Sequence, residues 1–160
     1  MQVLVVYCSK AGKTKKLAEC IASGVKEIEG VVCLLKPVSE ATVEDFVSSK
    51  GVIAGSPVYM GTMAAELKEY IESLHDVRKK IDEKVGAAFA TSGDPSGGKE
   101  TTMFSILQAL IILGMAVVGD PMDATGHYGV SCAGAPDERT MENASKLGKR
   151  VALLAKKLES

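Results

Sequence analysis

Tryptophan is absent from this chain of 160 residues, and only 3 Phe and 4 Tyr remain to supply aromatic surface. Cysteine is sparse as well. Cys8, Cys20, Cys33 and Cys132 make no C-x-x-C pair, and the two histidines, His75 and His127, lie far apart. A zinc site or a redox dithiol has no ligand pattern to rest on, and buried, reduced thiols are expected. No unbroken apolar run approaches the roughly 18 residues of a membrane span. Neither sign of charge dominates: 19 basic against 20 acidic residues leave a formal net charge of −1. That balance argues for neither nucleic acid nor a membrane surface as partner. A basic leader with a small-residue cleavage site is also missing. A cytoplasmic protein folding as one domain over residues 1–160 is the expectation, with no internal repeat, linker or low-complexity stretch.

What is present is an alternation of strand and helix patterns. Val3 to Tyr7 is a short apolar, β-branched run suited to a strand buried on both faces. Thr14 to Glu29 carries Leu17, Ala18, Ile21, Ala22, Val25 and Ile28 at helical spacing, and Gly30 closes it. Strands are expected at Val31–Leu35, Gly51–Gly55 and Val85–Ala90. Thr42–Ser49 reads as a short helical connector with Thr42 as its cap, and helices are expected at Met63–Leu74 and Glu100–Leu113. A fifth strand starts at Met115–Val118, is interrupted by residues 119–130 and resumes at Ser131–Gly134. Asp137–Leu158 is the last helix, entered through Pro136. Five strands alternating with helices imply an α/β fold with a parallel sheet and helices on both faces.

In such sheets the ligand site lies beyond the carboxyl ends of the strands. The loop after the first strand, Ser9-Lys10-Ala11-Gly12-Lys13-Thr14, opens directly into a helix. Small residues let its backbone close around an anion, and the helix start offers unpaired N–H groups; Ser9 and Thr14 add hydroxyls. The bland alternative is an ordinary capped strand-to-helix turn. Three other phosphate chemistries fail. A P-loop needs glycine where Tyr7 stands, and a dinucleotide fingerprint needs more glycine than Gly12 alone. A phosphatase using Cys8 in a C-x5-R arrangement needs arginine where Thr14 stands.

The first loop resembles the S/T-x-T-G-x-T phosphate loop of flavodoxins, with Ala11 replacing the middle threonine. The segment Gly55-Ser56-Pro57-Val58-Tyr59-Met60-Gly61-Thr62-Met63 resembles the flavin-facing loop of flavodoxins and of WrbA-type quinone oxidoreductases. Phe89-Ala90-Thr91-Ser92-Gly93, followed by Gly97-Gly98-Lys99-Glu100, resembles the Gly-rich loop closing the other side of FMN in those families, and Asp94 between them is counted with the cofactor-binding residues. The resemblance runs along essentially the whole chain. It implies a flavodoxin-like, doubly wound five-stranded sheet of order 2-1-3-4-5, with FMN as cofactor.

On that footing Val58, Tyr59 and Met60 would wall the flavin ring, with Tyr59 the stacking candidate in the absence of Trp. Gly61, Gly93, Gly97 and Gly98 would allow close backbone approach. Tyr128, within His127-Tyr128-Gly129, would cover the ring or else sit in a loop pinned by its histidine. Asp94, Asp120 and Asp123 match no metal cage and are expected as solvated turn carboxylates.

Two functions follow from the resemblance. One is an electron carrier between redox partner proteins. The other is a WrbA-like enzyme passing electrons from NAD(P)H to a quinone. Against the carrier, a net charge of −1 is far from strongly acidic. Against the enzyme, the chain lacks the extended insertion that builds the WrbA quinone pocket. The carrier is the favoured expectation. Oligomeric state is not readable.

Overall fold

Side chains alternate across β1 (Gln2–Tyr7): Val3 and Val5 face one layer, Leu4 and Val6 the other, and all four are fully buried. The computed structural model describes residues 1–159. Both faces of β1 are covered because it is central in a parallel sheet. It pairs with β2 (Val32–Pro37) and with β3 (Gly51–Pro57), and β3 in turn pairs with β4 (Val85–Ser92). The strand order is 2-1-3-4-5, as the resemblance implied.

The fifth position is shared by two strands. β5 (Ala116–Val117) runs beside Val85 and Gly86 at the start of β4, and β6 (Val130–Ala133) runs beside Phe89 to Ser92 at its end. The chain between them leaves the sheet, so six strands fill five positions. Asp120 organises that excursion. Its buried carboxylate accepts from the N–H of Thr125 at 3.0 Å, from the N–H of His127 at 2.7 Å and from the Thr125 hydroxyl. Asp120 is therefore a buried loop anchor and not the solvated carboxylate expected of it. The price of burying a carboxylate is offset by those three donors.

Helices α2 (Val43–Ser48), α3 (Ala65–Glu72) and α4 (Lys99–Ile112) cover the Leu4/Val6 face through Phe46, Leu67, Ile71, Ile106 and Leu110. Helices α1 (Lys13–Lys26) and α5 (Glu138–Glu159) cover the opposite face through Leu17, Ile21, Val25, Leu147 and Val151. Thr42 caps α2 as expected, in a reciprocal box with Asp45: Asp45 N–H donates to the Thr42 hydroxyl, and Thr42 N–H to the Asp45 carboxylate. The far end of α2 is capped by Lys84, whose buried ammonium donates to the carbonyls of Val47 and Ser49. A 3₁₀ segment at His75–Lys80 follows α3 with no periodic signal to announce it.

β3 and β4 each run two residues beyond their expected ends, because Ser56 and Pro57 continue to pair with Ala90 and Thr91, and Thr91 and Ser92 with Cys132 and Ala133 of β6. Pro57 is tolerated there as a terminal strand residue. Pro57, Thr91 and Ser92 thus belong to rigid strand ends and not to loops.

α1 and α5 approach until backbone meets backbone. A Cβ on Gly24 would collide with the Ser145 carbonyl, and one on Gly148 with the Ile21 carbonyl. Neither neighbour is a flexible side-chain end, so the helices themselves must separate. Gly148→Ala is expected to lower unfolding free energy by about 1–3 kcal/mol, the usual range for overpacking, as read by urea denaturation.

Candidate functional site

The loop from Cys8 to Gly12 joins β1 to α1 at the carboxyl edge of the sheet. Cys8 N–H donates to the Gly55 carbonyl at 3.0 Å, which ties the loop's start to β3. Gly12 takes the N-cap position at φ +82°, and no side chain caps the helix there. Ser9 Oγ accepts from Lys15 N–H at 3.2 Å. Among the described residues, the N–H groups of Ser9 through Thr14 donate to nothing in the protein. A helix start normally leaves such donors orphaned and carries a partial positive charge.

Thr14 is buried, and its hydroxyl lies 2.7 Å from that of Thr91 at the end of β4. One of the pair donates to the other, which leaves the second proton free to reach into the loop. Lys10, Ala11, Lys13 and Thr14 line a cavity of about 190 Å³ together with Pro57, Val58, Tyr59, Thr91, Ser92 and Gly93. All three loops singled out in the sequence meet here. Successive free N–H groups, two lysines and a buried hydroxyl suit the phosphate of FMN. The open space around Gly12 and Gly93, where a Cβ would meet no atom within 4 Å, leaves room for it.

The second loop is a tight hairpin. Tyr59 and Thr62 exchange both main-chain hydrogen bonds, at 3.0 and 3.1 Å, around Met60 and Gly61. Both turn residues have positive φ, +48° for Met60 and +77° for Gly61. That is the two-residue turn that matches strand twist, but it normally uses Asn or Gly at its first position. Met60 accepts the strain with its side chain fully exposed. Tyr59 is half exposed, with the Lys10 ammonium 5.2 Å from its ring centroid, and Lys10 also lies 3.6 Å from the Glu66 carboxylate. Tyr59 also borders a groove of about 960 Å³ between α3 and α4, walled by Met63, Ile71, Ala109 and Leu113.

In the third loop, Asp94 holds the turn. Its carboxylate accepts from the Ser96 hydroxyl and N–H, which keep it below the usual carboxylate range. Its carbonyl accepts from the Ser92 hydroxyl at 2.6 Å and from Gly97 N–H at 3.0 Å. Gly98, at φ +94°, caps α4. From the first turn of α4, Thr101 donates across to the hairpin, with Oγ1 2.7 Å from the Gly61 carbonyl. Sequence reasoning missed Thr101, because its partner stands 40 residues away and no spacing rule connects them.

Tyr128 is placed apart from the cradle cavity. Its ring packs on Phe104, centroids 4.3 Å apart, and it lines a neighbouring cavity of about 320 Å³ with Arg139 and Asn143. Asn143, buried on α5, was another residue that pattern alone did not mark. Burial, then the nearby Glu66 carboxylate, pushes the Cys8 thiol up to about 11, so it stays protonated and is no nucleophile at neutral pH. The cysteines are all free; Cys8 is buried, while Cys20, Cys33 and Cys132 are half-buried.

A family model described as NADPH-dependent FMN reductase matches residues 26–128. The chain is 39% identical to a flavodoxin of Aquifex aeolicus, covering 94% of this chain and 85% of the relative. It is 32% identical to an NAD(P)H dehydrogenase (quinone) of Archaeoglobus fulgidus, covering 98% of each. Among solved structures, a flavodoxin, WrbA-like protein from Agrobacterium tumefaciens superposes with a TM-score of 0.84 at 23% identity, over 98% of both chains.

Gly12 and Gly61 test the loops without touching the core. A Cβ at either would clash with nothing, so the cost of alanine is the left-handed backbone alone. Gly12→Ala and Gly61→Ala should each lower unfolding free energy by about 1–2 kcal/mol, measured in urea on the protein without added ligand.

Proposed function

This chain belongs to the flavodoxin family, and from that premise we propose that it binds FMN in the cradle of Ser9–Thr14 and serves as an electron carrier between redox proteins. The observation that carries the FMN reading is the row of unsatisfied N–H groups at the start of α1, opening on a cavity shared with Pro57–Tyr59 and Thr91–Gly93. When bound, FMN supplies the electron-accepting ring. The chain's own part is to hold and shape. Ser9 to Thr14 would take the phosphate through backbone N–H groups, with the Thr14 hydroxyl, aligned by Thr91, as a further donor. Lys10 and Lys13 would balance its charge. Val58, Tyr59 and Met60 would line one side of the ring, and Gly93 to Gly98 the other. No general acid or base is required of the protein for electron transfer through the ring.

The alignment with the quinone dehydrogenase supports the carrier. It runs over 189 positions while this chain has 160 residues, so that relative carries stretches with no counterpart here. A second reading, an FMN-dependent NAD(P)H:quinone oxidoreductase, is favoured by the name of that same relative and by the description of the family model. Among the described residues no helix is long and apolar enough to cross a membrane. The partners proposed for the carrier are redox proteins of the cytoplasm.

The phosphate contact is tested by Thr14→Ala. Hydrogen bonds to charged groups contribute about 1.5–3 kcal/mol each. The variant should weaken FMN binding by about 10- to 150-fold and leave riboflavin binding nearly unchanged, both read by flavin fluorescence quenching. Equal losses for the two ligands would show that the loop does not hold the phosphate.

The choice between carrier and enzyme is tested by anaerobic stopped-flow mixing of the FMN-loaded protein with NADPH and with NADH. A carrier should show no bleaching of flavin absorbance on the timescale of enzyme turnover. Bleaching faster than about 1 per second, the low end of common turnover rates, would favour the oxidoreductase.

A further inference from the structure

Thr101 stands in the first turn of α4, where a threonine hydroxyl commonly bonds back to its own helix three or four residues earlier. Such a partner is present, the Gly98 carbonyl at 3.0 Å. The shorter contact, at 2.7 Å, is nonetheless to the Gly61 carbonyl in the Met60-Gly61 hairpin. One hydroxyl carries one proton, so the two carbonyls compete for it, and the distances favour Gly61. Among the described residues the Gly61 carbonyl has no other donor.

The approach is built in. Gly98 at φ +94° lets the two backbones close, and a Cβ there would stand 3.2 Å from Gly61 Cα. The hairpin needs such a hold. Its two turn residues are both left-handed, and only the Tyr59–Thr62 bonds fix it from within. The peptide after Gly61 is held on both sides: its N–H, that of Thr62, donates to the Tyr59 carbonyl at 3.1 Å, and its carbonyl accepts from the Thr101 hydroxyl, so only the carbonyl's hold depends on Thr101.

We propose that Thr101 is a positioning residue of this site: its hydroxyl holds the Gly61 carbonyl against α4, withholds it from the bound flavin, and so sets the relative affinity for oxidised and reduced FMN. The inference rests on the FMN reading above. Reduction adds N–H donors to the flavin ring. A carbonyl released from Thr101 can accept one of them, whereas an engaged carbonyl must first give up its own hydrogen bond. Loss of the hydroxyl therefore favours the reduced cofactor and leaves the oxidised one little affected.

The test compares the wild-type chain with Thr101→Val, Thr101→Ala and Thr101→Ser, each loaded with FMN. Oxidised FMN affinity is read by fluorescence and the midpoint potential by equilibration with reference dyes. Thr101→Val should tighten reduced over oxidised FMN by about 3- to 10-fold, an upward shift of about 15–30 mV for a two-electron couple. Thr101→Ala should move the same way, which covers the case of valine packing badly. Thr101→Ser, which restores the hydroxyl, should return the wild-type potential. An unchanged or lowered potential in both the Val and Ala variants, with FMN bound, overturns the proposal. So does a Ser variant shifted as far as Val, since shape and not the hydroxyl would then be responsible. A wild-type chain that takes up no FMN overturns the FMN reading, and this proposal with it. Loss of the tether alone leaves FMN binding in place, so the two failures are distinct.

Discussion

Backbone donors at the start of α1 that nothing in the protein satisfies are the constraint on which the site depends. A helix start leaves its first N–H groups without acceptors, and most helices spend a Ser, Thr, Asp or Asn side chain on them. Here the capping position is Gly12, in a left-handed conformation that offers no side-chain acceptor. Ser9 meets only Lys15, one turn further in. The donors remain available to a ligand, and everything nearby serves to keep them in place.

Three anchors do that from different layers. Cys8 holds the loop to β3 through its N–H, and Thr14 holds the first turn of α1 to the end of β4 through paired hydroxyls. Behind them, Gly24 and Gly148 let α1 and α5 pack backbone to backbone. A helix so closely seated cannot tilt without separating a buried interface. The rigidity of the cradle is thus inherited from the core, and none of it needs the exposed lysines. Ion pairs such as Lys10 with Glu66 are solvent-exposed and contribute little to stability.

The hairpin at Tyr59–Thr62 is organised on the opposite plan. Few core contacts reach Met60, and two left-handed residues strain the turn. Part of its hold comes from outside, through Thr101 at the start of α4. One wall of the site is therefore fixed by packing and the other by hydrogen bonds: the Tyr59–Thr62 pair within the hairpin, Val58 N–H to the Thr91 carbonyl, Met63 N–H to the Ser105 hydroxyl, and the Thr101 hydroxyl at its tip.

Strand and helix order along the chain, a parallel sheet covered on both faces and the three loops at its carboxyl edge were determined by the sequence itself. Those features rest on local signals: β-branched runs for buried strands, three-and-four spacing for α1, Pro136 at the start of α5, Thr42 for a cap, and glycine where loops close tightly. The resemblance in the loops then narrowed the ligand to FMN. What depended on residues distant along the chain was decided only by the tertiary structure. β3 extends through Pro57 because it continues to pair with β4, and β4 extends through Ser92 because it continues to pair with β6, gains invisible in any segment alone. Asp120 is buried because a loop folds three donors around it, where composition suggested a solvated turn. Tyr128 packs on Phe104 beside a separate cavity, and Thr101 reaches Gly61 across 40 residues. Periodicity reports which face of an element is buried. It carries no information on which polar atoms two elements bring within hydrogen-bond distance, and in this protein those pairings finish the site.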